Sequence, residues 1–176
     1  MTFYKIPNRC DTTLSLLFYT LFLCYNEVNM KKTIIFDIDG TLADLNGRDK
    51  FLHNGTKDWE SFNAHMDQDL PNTPIIELYR TLYASQRYEI MLVSGRQERF
   101  RKVTETWLAF HNIPFDTLLM RKNTDFRHDC EVKQDILKSL QAQGKEILFT
   151  VDDRQSVVDM WRANGITCLQ CNRGDF

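Results

Sequence analysis

Thr33-Ile34-Ile35-Phe36-Asp37-Ile38-Asp39-Gly40-Thr41 is the stretch that decides the fold. Its first four residues are apolar or β-branched with no polar alternation, as suits a strand buried on both faces of a parallel sheet. The run then stops in two carboxylates two residues apart, and Gly40 permits a sharp turn there. Similar runs recur at 89–93, 117–120, 147–151 and 166–169. Helical periodicity fills the gaps: Ile75, Leu78, Tyr79, Leu82 and Tyr83 share one face, as do Val132, Ile136, Leu137 and Leu140. Further helices are expected at about 98–112 and 154–164. This alternation predicts an α/β fold, a three-layer α/β/α sandwich with a mainly parallel sheet, whose ligands bind beyond the carboxyl ends of the strands. A polar insertion over about 46–74, with Asn54-Gly55, Trp59, Phe62 and Pro71-Asn72-Thr73-Pro74, separates the first strand from its helix and reads as a small cap over the site.

The whole chain has 176 residues, 43% of them hydrophobic, with 22 Lys+Arg, 24 Asp+Glu, 7 Gly and 4 Pro. That composition excludes disorder, collagen-like repeats and a disulfide scaffold, and the length allows one globular domain with a short extension. A net charge of -2 creates no general attraction to nucleic acid, so any such contact must be local. Cysteines stand at 10, 24, 130, 168 and 171; an odd set without a paired framework points to a reducing compartment and a cytoplasmic protein. Cys168 and Cys171 have the spacing of half a zinc knuckle, but no second ligand pair follows, which argues against zinc. The apolar run over 14–25 is shorter than the ~20 residues a membrane helix needs, and no small-x-small cleavage site follows it. No stable membrane association is expected. Residues 1–29 are read as an N-terminal extension, most simply a start codon placed too far upstream, and 30–176 as the domain.

Chemistry gathers where the strands stop. Asp37 and Asp39 open like an EF-hand loop, but calcium loops need Gly at the sixth position and Glu at the twelfth, where this chain has Leu42 and Arg48. By itself the pair leaves open a metal-binding Asp-x-Asp for a sugar nucleotide and a solvated acidic turn. The second run ends in Val93-Ser94-Gly95-Arg96, which offers a hydroxyl, backbone N–H groups and a guanidinium to a phosphate. An ordinary capped helix start is the alternative meaning of such a segment. The fourth run ends in Val151-Asp152-Asp153-Arg154. Two acid pairs at one sheet edge repel unless a cation neutralises them, so Mg²⁺ is implied. Lys133, at the start of the helix after the third run, can reach the same edge.

Taken in order, Asp37-x-Asp39-Gly40-Thr41, Ser94, Lys133 and Asp152-Asp153 resemble the four motifs of the haloacid dehalogenase (HAD) superfamily of phosphotransferases. Within it the chain is similar to the 3′-phosphatase halves of the polynucleotide kinase/3′-phosphatases of T-even phages. The likeness runs from Lys31 to the last residue through Thr41-Leu42-Ala43, Asn46-Gly47-Arg48, Asp129, Val157-Val158, Met160-Trp161-Arg162 and Gly174-Asp175-Phe176. Departures fall in the cap and in the loop after Arg96, the regions that choose substrates. The resemblance implies a HAD-like sandwich with its cap after the first strand and a Mg²⁺-dependent phosphatase. It assigns Asp37 as the nucleophile that forms an aspartyl-phosphate, Asp39 as proton donor and then acceptor, and Lys133 as the third member of the catalytic set. Thr41, Ser94, Gly95 and Lys133 would hold the phosphoryl group, Arg48 and Arg96 would face the substrate, and Asp129 would orient Lys133 within the phosphate subsite. Mg²⁺ would be held by Asp37, the Asp39 carbonyl, Asp152 and Asp153. The Gly-x-x-x-x-Gly-Lys-[Ser/Thr] loop of a kinase does not occur: only Gly144 is followed by lysine.

The expected substrates are 3′-phosphate ends of DNA or RNA, with free mononucleotides, and hence a nucleotidase, as the alternative. A catalytically silent metal-binding or interaction domain is a third class, against which both intact aspartates argue. Residues 46–70 carry 3 Lys+Arg against 5 Asp+Glu, so the cap is acidic and the nucleic-acid footprint short. In the mononucleotide reading Trp59 or Phe62 would stack the base, although cap core is the commoner place for both.

Overall fold

The computed structural model describes residues 31–45, 47–53 and 57–174. The expected extension over 1–29, Asn46, the Asn54-Gly55 turn and the final Asp175-Phe176 lie outside the described residues. Strand β1 is Thr33–Phe36, and its four side chains are all buried. Ile34 and Phe36 enter one core, with Ile76 and Tyr79 of a helix over Thr73–Ala84 and Trp107 and Leu108 of a helix over Arg101–Phe110. Ile35 points the other way, against Leu137 and Leu140 of a helix over Asp129–Ala142 and Val157, Val158 and Trp161 of a helix over Gln155–Ala163. Successive strand residues alternate faces, so an uninterrupted apolar strand buries both faces and the three layers follow.

The remaining sheet strands are β4 (Glu89–Gln97), β5 (Thr117–Arg121), β6 (Ile147–Arg154) and β7 (Cys168–Gly174). In space the order is β5-β4-β1-β6-β7, with every pairing parallel. Strands β4, β6 and β7 run farther than their apolar runs. Backbone pairing continues through the polar ends, as Ser94↔Met120 and Asp152↔Gln170 show, and the register shifts between Ser94 and Gln97 and between Asp152 and Arg154. Irregular pairing of this kind re-aims side chains, and here it does so at the motif residues.

The insertion carries a small hydrophobic cluster of its own. Strand β2 (Ala43–Asp44) pairs antiparallel with β3 (Leu70–Pro71), and between them lie α1 (Lys50–His53), α2 (Trp59–Ala64) and a 3₁₀ turn over Met66–Gln68. Leu45, Leu52 and Phe62 form its small core, with Phe51 packed against it. The insertion ends earlier than the sequence suggests, because Thr73 and Pro74 open helix α3 (Thr73–Ala84), where a proline at the first turn sacrifices no hydrogen bond. Asn72 joins this exit to the motif loop: its backbone N–H donates to Leu42 O at 2.8 Å and its side chain to Thr41 O at 2.8 Å. Leu78 is 39% exposed, since the buried stripe of α3 centres on Ile76 and Tyr79 and leaves it one step outside. Three further helices are α4 (Arg101–Phe110), which follows a 3₁₀ turn, α5 (Asp129–Ala142) and α6 (Gln155–Ala163). Among the described residues no helix is long and apolar enough to cross a membrane.

Candidate active site

Asp37 leaves β1 still paired, its backbone N–H donating to Val151 O at 3.0 Å, so its carboxylate is fixed at the carboxyl edge of the sheet. Lys133, in the second turn of α5 and 1% exposed, donates to Asp37 Oδ1 at 2.7 Å and to Asp152 Oδ2 at 2.8 Å, with Asp129 Oδ2 at 3.4 Å. Burial alone would discharge this ammonium, but Asp129, Asp152 and Asp37 hold its pKa well above the ordinary value. Asp37, Asp152 and Asp153 each present a carboxylate oxygen, all within 4.8 Å of one another and all buried. Burial and this crowding raise Asp37 well above the usual carboxylate range and push Asp153 up to about 7. Three crowded carboxylates, only two of them bonded to the Lys133 ammonium, are short of positive charge, and all-oxygen donors suit a hard divalent cation. The backbone makes room for the set: a Cβ at Gly40, whose φ is +82, or at Gly174 would collide with the Asp153 carboxylate.

Asp39, two residues on, points into different surroundings. Arg96 grips it with Nε to Oδ2 at 2.8 Å and Nη2 to Oδ1 at 2.8 Å, and Arg48 Nη2 adds a contact to Oδ1 at 2.7 Å. Burial works against its charge, yet Arg96 and Arg48 hold its carboxyl well below the usual range. Both guanidiniums are themselves buried and share a second carboxylate, Asp69, from the end of the cap. Arg48 Nε donates to Asp69 Oδ1 at 2.6 Å, Arg48 Nη2 also meets Asp69 Oδ2, and Arg96 Nη2 lies 3.4 Å from the same oxygen. Trp107 Nε1 donates to the Asp69 backbone O at 2.8 Å, which ties the cap to α4. Arg48 also donates to Phe62 O at 2.6 Å, and Arg96 to Thr104 Oγ1 at 3.2 Å. Asp69 was not singled out from the sequence. A lone acid at the end of a polar insertion carries no periodic signal, and the need to balance two arginines was the only hint available.

The other expected residues lie around these two groups. Ser94 is buried and its Oγ accepts from the Arg96 backbone N–H at 3.2 Å. Gly95 leaves space that a Cβ would deny to the Asp129 carboxylate. Asp129 makes the expected ion pair with Lys133, and it also meets Arg121 at 3.1 Å and Arg154 at 3.8 Å. Burial notwithstanding, Lys133, Arg154 and Arg121 keep it ionised. Thr41 is buried, and its Oγ1 accepts from the Cys171 thiol at 3.5 Å. Arg121 and Arg154 are further cations that sequence reasoning did not include; Arg121 Nε donates to Gly95 O at 2.8 Å and so ties β5 to the polar end of β4. Of the two cap aromatics expected to stack a base, Phe62 is cap core beneath the Arg48 guanidinium, whereas Trp59 is 44% exposed.

A buried aspartate at the end of the central strand faces a lysine and an acid pair across the edge of a parallel sheet, and the chain is a HAD hydrolase by the family model that matches it. A haloacid dehalogenase-like hydrolase from Streptococcus pneumoniae shares this fold at 17% identity and a TM-score of 0.51, over 80% of this chain and 84% of that one. More narrowly, the chain belongs to the polynucleotide kinase PNKP phosphatase domain family, whose model matches residues 31–176. It is similar to a chain of the Pnkp1/Rnl/Hen1 RNA repair complex, with 38% identity and a TM-score of 0.71 over 84% of this chain and 44% of that one. A second structure of the Pnkp1/Rnl/Hen1 complex contains a chain that matches with 40% identity and a TM-score of 0.71, over 84% and 48%. The present chain thus spans less than half the length of these relatives.

Proposed function

We propose that residues 30–176 form a Mg²⁺-dependent phosphomonoesterase that removes 3′-phosphates from nucleic-acid ends through an aspartyl-phosphate on Asp37. The reading is carried by one observation: two carboxylates two residues apart stand in opposite electrostatic settings, Asp37 beside Lys133 and the acid triad and Asp39 in a fork of two guanidiniums. Family membership supports the same reading.

Asp37 attacks phosphorus in line; a bond from its carboxylate oxygen to phosphorus forms as the bond to the sugar oxygen breaks. An alkoxide leaves poorly, so Asp39 gives that oxygen a proton. A dianionic phosphate placed beside Asp39 opposes the two guanidiniums, and proton uptake by Asp39 therefore accompanies substrate binding. Asp39 next takes a proton from water, whose oxygen attacks phosphorus and releases inorganic phosphate and free Asp37. Lys133, Ser94, Thr41 and the backbone at Gly95 hold the phosphoryl oxygens, while Asp129 positions Lys133. Arg48 and Arg96 keep Asp39 aimed and meet the substrate's charge. Asp37, Asp152 and Asp153, with the Asp39 carbonyl, would hold Mg²⁺; their crowding and the room left at Gly40 and Gly174 fit such an ion. When bound, Mg²⁺ offsets the repulsion between the nucleophile and an anionic phosphate.

Few basic residues in the cap imply a short footprint and a shallow salt dependence. The free thiols of Cys130, Cys168 and Cys171 suit a cytoplasmic enzyme. The test is Mg²⁺-dependent phosphate release over 3′-phosphorylated oligonucleotides, the same oligonucleotides phosphorylated at the 5′ end, and free mononucleotides. We expect the 3′-phosphates to turn over fastest. Far faster cleavage of 5′-mononucleotides would replace end processing by a nucleotidase and leave only the HAD phosphatase assignment.

A further inference from the structure

Beside Arg48 the cap holds a cavity of about 230 Å³, lined by Arg48, Lys50, Phe51, His65, Gln68 and Asp69. We propose that this cavity is a nucleobase subsite, which receives the base of the nucleotide whose phosphate is removed. The proposal rests on the phosphatase reading above and adds to it the part of the substrate that the cap recognises.

Position is the first argument. Arg48 Nη2 bonds Asp39 Oδ1 at 2.7 Å, and Asp39 is the group proposed to protonate the departing sugar oxygen. The leaving nucleoside therefore departs on the Asp39 side of the phosphorus, which is bordered by Arg96 of the sheet and by Arg48, and Arg48 also lines the cavity. Shape is the second. One wall is the Phe51 ring with His65 stacked on it, at 5.8 Å between centroids and 17° between planes. Lys50 Nζ lies 5.1 Å from the centre of the Phe51 ring. The volume is below the roughly 300 Å³ at which drug-sized sites begin, enough for one flat ring system and not for a stretch of polymer. Chemistry is the third. His65 Nδ1 lies 3.0 Å from Ser61 O, a carbonyl that only accepts, so Nδ1 donates there, and in the neutral ring Nε2 is left as an acceptor. Gln68 adds an amide with both a donor and an acceptor. A flat aromatic wall edged by such groups matches a base, which has a π face to stack and an edge to bond. Phe62 cannot serve, because it lies in the cap core beneath Arg48.

The test compares a 3′-phosphorylated oligonucleotide ending in a normal nucleotide with one ending in an abasic sugar. In the wild-type protein kcat/KM should favour the base by roughly ten-fold, within what base–aromatic stacking supplies. Phe51→Leu keeps an apolar side chain against the cap core, and Gln68→Ala alters an exposed residue; each should move the base-to-abasic ratio toward one. Equal kcat/KM for the two substrates in the wild-type protein, or a ratio unchanged in both variants, overturns the subsite. Should neither 3′-phosphate turn over while 5′-mononucleotides do, the reading of the ends fails instead. The ratio of a 5′-nucleotide to ribose 5-phosphate, taken through the same variants, then decides the subsite.

Discussion

The sheet edge around Asp37 and the cap side around Asp39 contain nearly the same residue types and balance their charges differently. At the edge Asp37, Asp152 and Asp153 crowd together and Lys133 bonds two of them, so burial and mutual repulsion raise Asp37 and Asp153. On the cap side Asp39 and Asp69 meet Arg48 and Arg96, two charges against two. The first group calls for a cation; the second is closed without one. Two aspartates from a single motif thus sit in different electrostatic settings, and the proposed division into nucleophile and acid–base group rests on that difference.

The sharpest way to break this comparison is Asp37→Asn. The amide keeps the shape and loses the nucleophilic charge, so phosphate release should fall about a thousand-fold or more. Melting should be unchanged or raised, because one crowded carboxylate has gone. Near-normal turnover would refute the aspartyl-phosphate route.

Asp39→Asn comes next, with a loss of about a hundred-fold or more on 3′-phosphorylated sugars, the scale of general acid–base catalysis. An aryl phosphate, whose leaving group needs less protonation, should suffer much less. Equal losses on the two substrates would count against Asp39 as the proton donor.

A smaller effect is expected at Asp69. Asp69→Asn keeps the backbone O that Trp107 uses and removes the countercharge of the two arginines; kcat/KM should fall by about ten-fold, through less well-aimed guanidiniums. Burial pushes Asp69 up to about 6 against the pull of the arginines. Between about pH 4 and 6 the folded protein therefore holds a proton that the unfolded chain has lost, so this group's contribution to stability declines as pH rises through that window. Melting curves across the window should show that decline in the wild-type protein and a flatter profile in the variant. An identical slope would remove Asp69 from the titrating set.

The mildest test sharpens the edge half of the comparison. Saturating Mg²⁺ should raise the melting temperature by roughly 5–10 °C, as ligand at about 100 times Kd contributes roughly 2.7 kcal/mol. The shift should be larger at pH 8 than at pH 6, since Asp153, pushed up to about 7, must lose its proton to bind the ion. Equal shifts at both values would argue that Asp153 takes no part.

Local physics was enough for the frame. The apolar, β-branched run from Thr33 to Phe36 suits a doubly buried strand, and parallel strands deliver every strand-end motif to one edge, so Asp37, Ser94, Asp152 and Asp153 could be placed together from their positions at the ends of such runs. Tertiary structure decided what that reasoning lacked. Strands β4 and β6 continue through polar residues because their neighbours supply backbone partners, which hydrophobic pattern does not register. Leu78 left the buried stripe because the facing core centres on Tyr79. Asp69 became a site neighbour because it meets Arg48 across 21 residues, just as Arg96 reaches Asp39 across 57 and Lys133 reaches Asp37 across 96. Periodicity acts over a few residues, whereas the charge state of a buried carboxylate is set by whatever the topology brings within a few ångströms of it.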